Sequence, residues 1–206
     1  VGAVEDSSST VYLRPENAQA MFVNYKNVMD SIHPKIPFGI AQIGRAFRNE
    51  ITPRDFTFRT REFNLMEFEY FVRESEWEKY FEYWREEMLE WMDVVGIDKD
   101  LVHELEVLPE DRAHYSKRTI DFEFDFPFGR KELYGLAYRS DFDLKSHMES
   151  SGQSLEYFDD ATGEKFVPHA IEPTFGLDRT ILAILVSAYR EDVVGEATEI
   201  RSYLKL

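Results

Sequence analysis

The sequence predicts an α+β domain, an antiparallel β-sheet flanked by helices. Three observations lead there. Several segments alternate apolar and polar residues with a period of two, "TIDFEFDFPFG" at 119–129 most plainly. Short turns join such segments to their neighbours, which favours antiparallel pairing. Three other stretches repeat apolar residues every three or four positions and stand between the strands, as helices that back a sheet do.

Taken in order, residues 1–10 are polar and Ser-rich, a loose entry. "RPENAQAMFVNYKNVMDS" has Pro15 near a helix start and then Met21, Phe22, Tyr25, Val28 and Met29 at helical spacing. "FGIAQIGRAFRNEI" reads as a strand whose even positions carry Gln42, Gly44, Ala46, Arg48 and Glu50 on one face, with room above Gly44 and Ala46. After a loop at 52–60, "REFNLMEFEYFV" returns with Arg61, Phe63, Leu65, Glu67 and Glu69 on one face. The clearest helix covers 74–92, where Trp77, Phe81, Trp84, Met88 and Trp91 make an apolar stripe and seven Glu cover the other side. Residues 93–118 read as a connection marked by Pro109. "TIDFEFDFPFG" and "KELYGLAYRSDF" are strands, "SLEYFDDATGEKFVPHAIEP" is a hairpin turning at 160–164, and "TFGLDRTILAILVSAYRE" is an apolar helix. The alternating "EIRSYLKL" at the end reads as strand-like.

The 206 residues suffice for one domain with a substantial core. No apolar run approaches the roughly 18 residues of a membrane span, and no signal peptide is evident. Without cysteine there is neither a disulfide nor a thiolate metal site, which fits a cytoplasmic protein; the five histidines lack ligand spacing, so no zinc is expected. A start at Val1 rather than Met, and the unterminated final run, lead us to expect a domain excised from a longer chain. The formal charge of −16 argues against a surface that is a nucleic-acid platform throughout. Yet Arg45, Arg48, Arg54, Arg59 and Arg61 crowd into residues 45–61, around Glu50. An anion would have to be met there.

"FRNE" followed by an arginine-rich loop and "REF" resembles motif 2 of the class II aminoacyl-tRNA synthetases, and "IEPTFGLDR" opening a helix resembles motif 3. With "YLRPENAQAMF", "AHYS" and "GLAYRSDFDL", the chain is similar to the homodimeric glycyl-tRNA synthetases from about residue 10 to 190. The resemblance implies one class II catalytic core over 1–206, with motif 2 at about 40–72 and motif 3 at about 166–190. The family's motif 1 would lie upstream of Val1 and its anticodon-binding domain beyond Leu206. The implied activity is ATP-dependent activation of glycine and its transfer to the 3′ end of tRNA(Gly), in a parent protein that is a homodimer.

That chemistry needs positioning and fixed positive charge at the phosphates more than an acid or base, and guanidinium groups supply forked bonds to phosphate oxygens. The resemblance gives Arg48 the α-phosphate and the amino-acid carboxylate, Glu50 the adenine amino group, Phe63 one face of adenine, and Arg179 the other face and the γ-phosphate. Arg59 is assigned to the γ-phosphate or the acceptor end, and Arg54 to the acceptor end of the tRNA. Glu132 and Glu172 match carboxylates that hold Mg2+ on ATP. Glu16 and Glu67 hold the glycine ammonium, Arg139 fixes the constellation, and Thr174 offers a hydroxyl. Thr174 stands where Ser is usual, Asn17 and Ala20 replace Thr and Gly, and Tyr138 replaces a smaller or polar residue. Strict alternation puts Arg139 on the face opposite Glu132, so either the strand bulges or the sheet ends between them. Two other readings stay open: a class II synthetase for another small amino acid, and a synthetase-like binding or accessory protein without catalysis. The second would have lost its phosphate-binding residues.

Overall fold

The computed structural model describes residues 10–194 and 199–205, so the Ser-rich entry lies, apart from Thr10, outside the described residues. Helix α1 (Ala18–Ile32) precedes the hairpin β1 (Phe38–Phe47) and β2 (Glu62–Val72). A 3-10 turn at Glu74–Glu76 leads into α2 (Trp77–Val94). Then come β3 (Val102–Glu106), β4 (Arg118–Phe126), β5 (Gly129–Ser140) and α3 (Phe142–Ser151). The small hairpin β6 (Tyr157–Asp159) and β7 (Glu164–Phe166) is followed by β8 (His169–Gly176), α4 (Leu177–Ala188), and the hairpin β9 (Tyr189–Val194) and β10 (Glu199–Leu204). Among the described residues, no helix is long and apolar enough to cross a membrane.

Six strands form one antiparallel sheet in the order β1-β2-β8-β5-β4-β3. The α+β expectation holds. Two adjacent rows of cross-strand partners explain how the sheet is used. Met66, Phe175, Tyr134 and Phe122 run side by side across β2, β8, β5 and β4. The next row, pointing the other way, is Glu67, Thr174, Gly135 and Asp121. One face is thus aromatic and the other polar and small, because successive residues of a strand alternate sides.

The aromatic face carries the main core. Phe81, Met88 and Met92 of α2 are fully buried against Phe122, Phe124 and Leu136, with Trp77, Trp84 and Trp91 packed around them. The tryptophan stripe is therefore core. On the polar face α1 and α3 cover one end, where Phe22, Tyr25 and Leu144 pack on Phe71 and Ala170. The other end stays open as a cleft.

Four local expectations are corrected. The 93–118 connection contains a strand, β3, which pairs with β4 at the sheet edge. Helix α3 went unrecognised, because in "FDLKSHMESS" only Asp143 and Leu144 are buried and no apolar stripe exists. The second strand of the 157–166 hairpin does not run on into the last helix; β8 intervenes, in the middle of the large sheet. Finally β1 stops at Phe47, short of Arg48 and Glu50. The Arg48 N–H still bonds the Arg61 carbonyl at 2.9 Å, but Glu50 N–H turns back onto the Arg48 carbonyl at 2.8 Å.

Candidate active site

The open end of the polar face holds a cleft with about 630 Å³ of open space. Arg48, Glu50, Arg59 and Phe63 line it from the β1–β2 hairpin. Glu132, Thr174 and Arg179 line it from β5, β8 and the start of α4. These residues lie far apart in sequence, and the antiparallel order brings them together.

At the cationic end, Arg48 is exposed. Its Nε donates to the Pro15 carbonyl at 3.3 Å, and its guanidinium lies 5.2 Å from the Phe63 ring centre. Arg59 Nη1 donates to Glu50 Oε2 at 3.1 Å, leaving Oε1 of Glu50 free of that bond. Arg61 Nε donates to the Glu50 carbonyl at 2.9 Å and so braces the turn. Arg179 Nη1 donates to the Glu132 carbonyl at 2.8 Å and to its carboxylate at 3.3 Å. The ring under Arg179 is Phe58, 4.2 Å away. Phe58 escaped the sequence reading because nothing in "DFTFRT" separates it from Phe56, which is 81% exposed. Arg54 lies outside the cleft, paired with Asp55 at 3.5 Å, and Arg45 pairs with Glu62.

Beyond Thr174 of the cleft lining, whose cross-strand partner is Glu67, lies a group that is acidic and buried. Glu67 is 3% exposed and receives one hydrogen bond, from the Asn17 N–H at 2.7 Å. It makes no ion pair among the described residues. Burial, then the charge of Glu172, pushes its carboxyl up to about 7, with Glu16 adding to the rise and Arg48 opposing it. The room expected above Gly44 is filled: a Cβ there would meet the Arg14 guanidinium and, at 2.8 Å, Asn17 Oδ1.

Arg139, 1% exposed, ties this group together. Its Nε and Nη2 grip the two Asp143 oxygens at 2.8 and 2.9 Å, while Nη1 donates to both oxygens of Glu172 at 2.9 Å. The Tyr115 ring lies 3.8 Å from the guanidinium. Burial opposes the Arg139 charge, but the bonds to Asp143 and the charge of Glu172 outweigh it and raise its pKa. Glu172, itself pushed up first by burial, sits with these groups and not beside Glu132. Asp143 shares "RSDFDL" with Arg139, four positions on, whereas Tyr115 of "AHYS" is distant in sequence and no spacing ties it to Arg139.

The uncertain side of Arg139 is resolved by a bulge. Phe122 faces Tyr134 but Glu123 faces Glu132, so Leu133 is an extra residue in β5. Glu132, Gly135 and Ala137 consequently share the polar face with Glu172 and Thr174. Across Gly135, Asp121 is pushed up to about 6 by burial and then by Glu132 and Glu123. Among the described residues no three potential ligands group around one metal position. Glu132, in the cleft, fits a cation that takes one or two carboxylates plus phosphates; Glu172, held on both oxygens by Arg139, does not reach it.

Comparison with known proteins agrees with this architecture. Residues 3–188 match the family model described as tRNA synthetase class II core domain (G, H, P, S and T). A protein of Caldanaerobacter subterraneus subsp. tengcongensis named glycine–tRNA ligase is 50% identical over 97% of this chain and 43% of its own length. Proteins of the same name from Alkaliphilus oremlandii and Thermus thermophilus are 51% and 49% identical, over 95% and 100% of this chain and 42% and 44% of their own lengths. The chain thus spans less than half the length of these curated relatives. A six-stranded antiparallel sheet whose β1–β2 hairpin and α4 start meet around one cleft, and a family match over most of the sequence, have one conclusion: the chain belongs to the class II tRNA synthetase core family.

Proposed function

We propose that the cleft activates glycine with ATP and passes the glycyl group to the 3′ end of tRNA(Gly). The observation that carries this reading is Glu67: a buried carboxyl with no cation partner among the described residues, across the strands from Thr174 of a cleft that Arg48, Arg59 and Arg179 also line. A small α-amino acid bound with its ammonium at Glu67 and its carboxylate at Arg48 satisfies both. Glu16 and Glu172, whose charges both raise Glu67, extend the acidic group, so Glu172 is better placed with the ammonium than with a metal.

In the reaction a glycine carboxylate oxygen attacks the α-phosphorus of ATP, the new P–O bond forms, and the bond to the pyrophosphate oxygen breaks. Arg48 stabilises the charge that develops there. Adenine takes the face of Phe63, which requires Arg48 to leave the ring for the α-phosphate as the nucleotide enters. The second oxygen of Glu50 accepts from the adenine amino group, and Arg179 and Arg59 meet the terminal phosphates. Mg2+, held by Glu132 with Asp121 beside it, would offset phosphate charge when bound. Selection against alanine must be steric, since a pocket gains only about 1–3 kcal/mol per methylene, and the row Thr174–Gly135 is where the extra methyl would meet the floor. We place the protein in the cytoplasm as a homodimer with tRNA(Gly) as partner.

The test is amino-acid-dependent exchange of pyrophosphate into ATP across the twenty amino acids. Exchange with glycine alone is expected. Exchange with a different amino acid would make this a synthetase of other specificity, and none at all would favour a binding protein without catalysis.

A further inference from the structure

Glu69 takes no part in the steps above. It is 0% exposed, and neither carboxyl oxygen has a hydrogen-bond donor among the described residues. The pairs Glu67–Thr174 and Tyr70–Ile171 set the β2–β8 register, which places Glu69 directly opposite Glu172 on the polar face. The two carboxyl groups adjoin closely enough that each shifts the other's pKa. Two ionised carboxylates only accept, so a hydrogen bond between them requires a proton on one, and like charges directly opposed across strands are destabilising. Glu172 has both oxygens on Arg139 Nη1 and is held as the anion. Glu69 has no such bond. Of the other charged neighbours, Arg139 favours a charge on Glu69, but its nitrogens are taken up by Glu172 and Asp143, and Asp143 of α3 disfavours one; the β1 partner is Ile40.

We propose that Glu69 is a neutral carboxylic acid that donates its proton to Glu172 and, with Arg139, holds Glu172 beside Glu67 as a positioning residue for the ammonium pocket. Its role in glycine binding rests on the function proposed above; its protonation does not. Burial, and then the charge of Glu172, push the Glu69 carboxyl well above the usual carboxylate range, as the proposal requires. The charge count follows. Asp143 balances Arg139, Glu69 adds nothing, and Glu172 and Glu67 remain to face an incoming ammonium.

The experiment compares the parent protein with Glu69→Gln and Glu69→Ala. Infrared difference spectra are taken at about pH 9, where Glu67 is ionised and only a strongly shifted carboxyl keeps its proton. The parent should show the carbonyl stretch of a buried carboxylic acid, and Glu69→Gln should lack it. In pyrophosphate exchange, Glu69→Gln, which still donates, should keep the glycine KM within about threefold; Glu69→Ala should raise it about tenfold or more while the ATP KM stays within about threefold. Absence of the band from the parent, or its survival in Glu69→Gln, overturns the proposal. So does a glutamine variant as impaired for glycine as the alanine one. If the parent gives no glycine-dependent exchange but shows the band, the proton on Glu69 stands and the proposed substrate falls.

Discussion

Arg139 spends one nitrogen, Nη1, on both oxygens of Glu172 at 2.9 Å and its other two on Asp143, so a single guanidinium holds two buried carboxylates from two different elements. Both carboxylates are less than a tenth exposed. Removing one partner of such a set leaves the others charged and unpaired, at a cost of about 3–5 kcal/mol. Arg139→Ala should therefore lower stability by that order in urea unfolding. Arg139→Lys keeps the charge but cannot grip Asp143 through a fork, and should lose less, though still more than about 1 kcal/mol. A lysine variant as stable as the parent would mean that charge alone, without the fork, suffices.

Arg48 is the opposite case. Its side chain is exposed and, among the described residues, makes one hydrogen bond, a 3.3 Å contact to the Pro15 carbonyl, so little of the fold depends on it. Arg48→Ala should leave the thermal midpoint nearly unchanged. The same change should lower glycine-dependent pyrophosphate exchange by about 100-fold or more, the typical loss when a preorganised transition-state donor is removed. Exchange within a few-fold of the parent would remove Arg48 from the α-phosphate.

The contrast between Arg139 and Arg48 marks what the sequence could convey. Parity along β2 is legible because in "REFNLMEFEYF" Glu67 and Glu69 alternate with Met66, Phe68 and Tyr70, and the structure keeps Glu67 and Glu69 on one buried face. The side on which Arg139 points is not, since one extra residue at Leu133 decides it and nothing in "KELYGLAYRS" distinguishes a bulge from a regular strand. The cleft residues on the β1–β2 hairpin could be named because they lie within twenty positions of one another. Glu172's separation from Glu132 could not be seen, because it depends on how β8 pairs with β5. Helix α3 brings Asp143 to Arg139 with almost no apolar stripe to announce it.

Glu67 gives the pH dependence its sign. Its carboxyl is raised to about 7 by burial and by Glu172, so between the unfolded value near 4.5 and about 7 the folded state binds more protons than the unfolded one. Its contribution to stability therefore falls as pH rises through that window. Binding an ammonium needs the ionised form, so glycine affinity should rise from about pH 6 to 8 and each binding event should release part of a proton. Calorimetry in two buffers of different ionisation enthalpy measures the proton directly. Glu67→Gln should bind glycine weakly with no proton release, and ATP about as well as the parent. An unchanged proton count in that variant would assign the titration to another group.

Gly44 links the first strand to the same pocket. A Cβ there would press on Arg14, a flexible side chain, and on Asn17 Oδ1 at 2.8 Å. Asn17 has no room to yield: it is fully buried, its Nδ2 bonds the Leu65 carbonyl at 3.3 Å, and its N–H holds Glu67. Gly44→Ala should cost about 1–3 kcal/mol by overpacking, with a rise in glycine KM that exceeds the rise for ATP. Equal changes in the two would show that the strain does not travel through Asn17 to Glu67.

Arg54 separates the two steps of the proposed reaction. It lies outside the cleft, its side chain 61% exposed, with Asp55 at 3.5 Å as its partner. An exposed pair of this kind contributes little and leaves the guanidinium open to a phosphate. The surface around it limits what such a contact can do. Across residues 44–61 five Arg face Glu50 and Asp55, a local balance of about +3, on a chain whose net charge is −16. Phosphate contacts weaken with salt by a log–log slope of about 0.7–0.9 for each one neutralised, so a patch of this charge supports only a few. Arg54→Ala should weaken tRNA binding and reduce the salt slope by no more than about one contact's worth. Glycine-dependent pyrophosphate exchange, which needs no tRNA, should stay within about twofold of the parent, since the Arg54 side chain has its partner in Asp55 and only its backbone meets Arg59 of the cleft. Aminoacylation at limiting tRNA should fall with the affinity. If exchange drops together with charging, Arg54 shapes the nucleotide loop through its backbone pairing with Arg59 rather than meeting the tRNA.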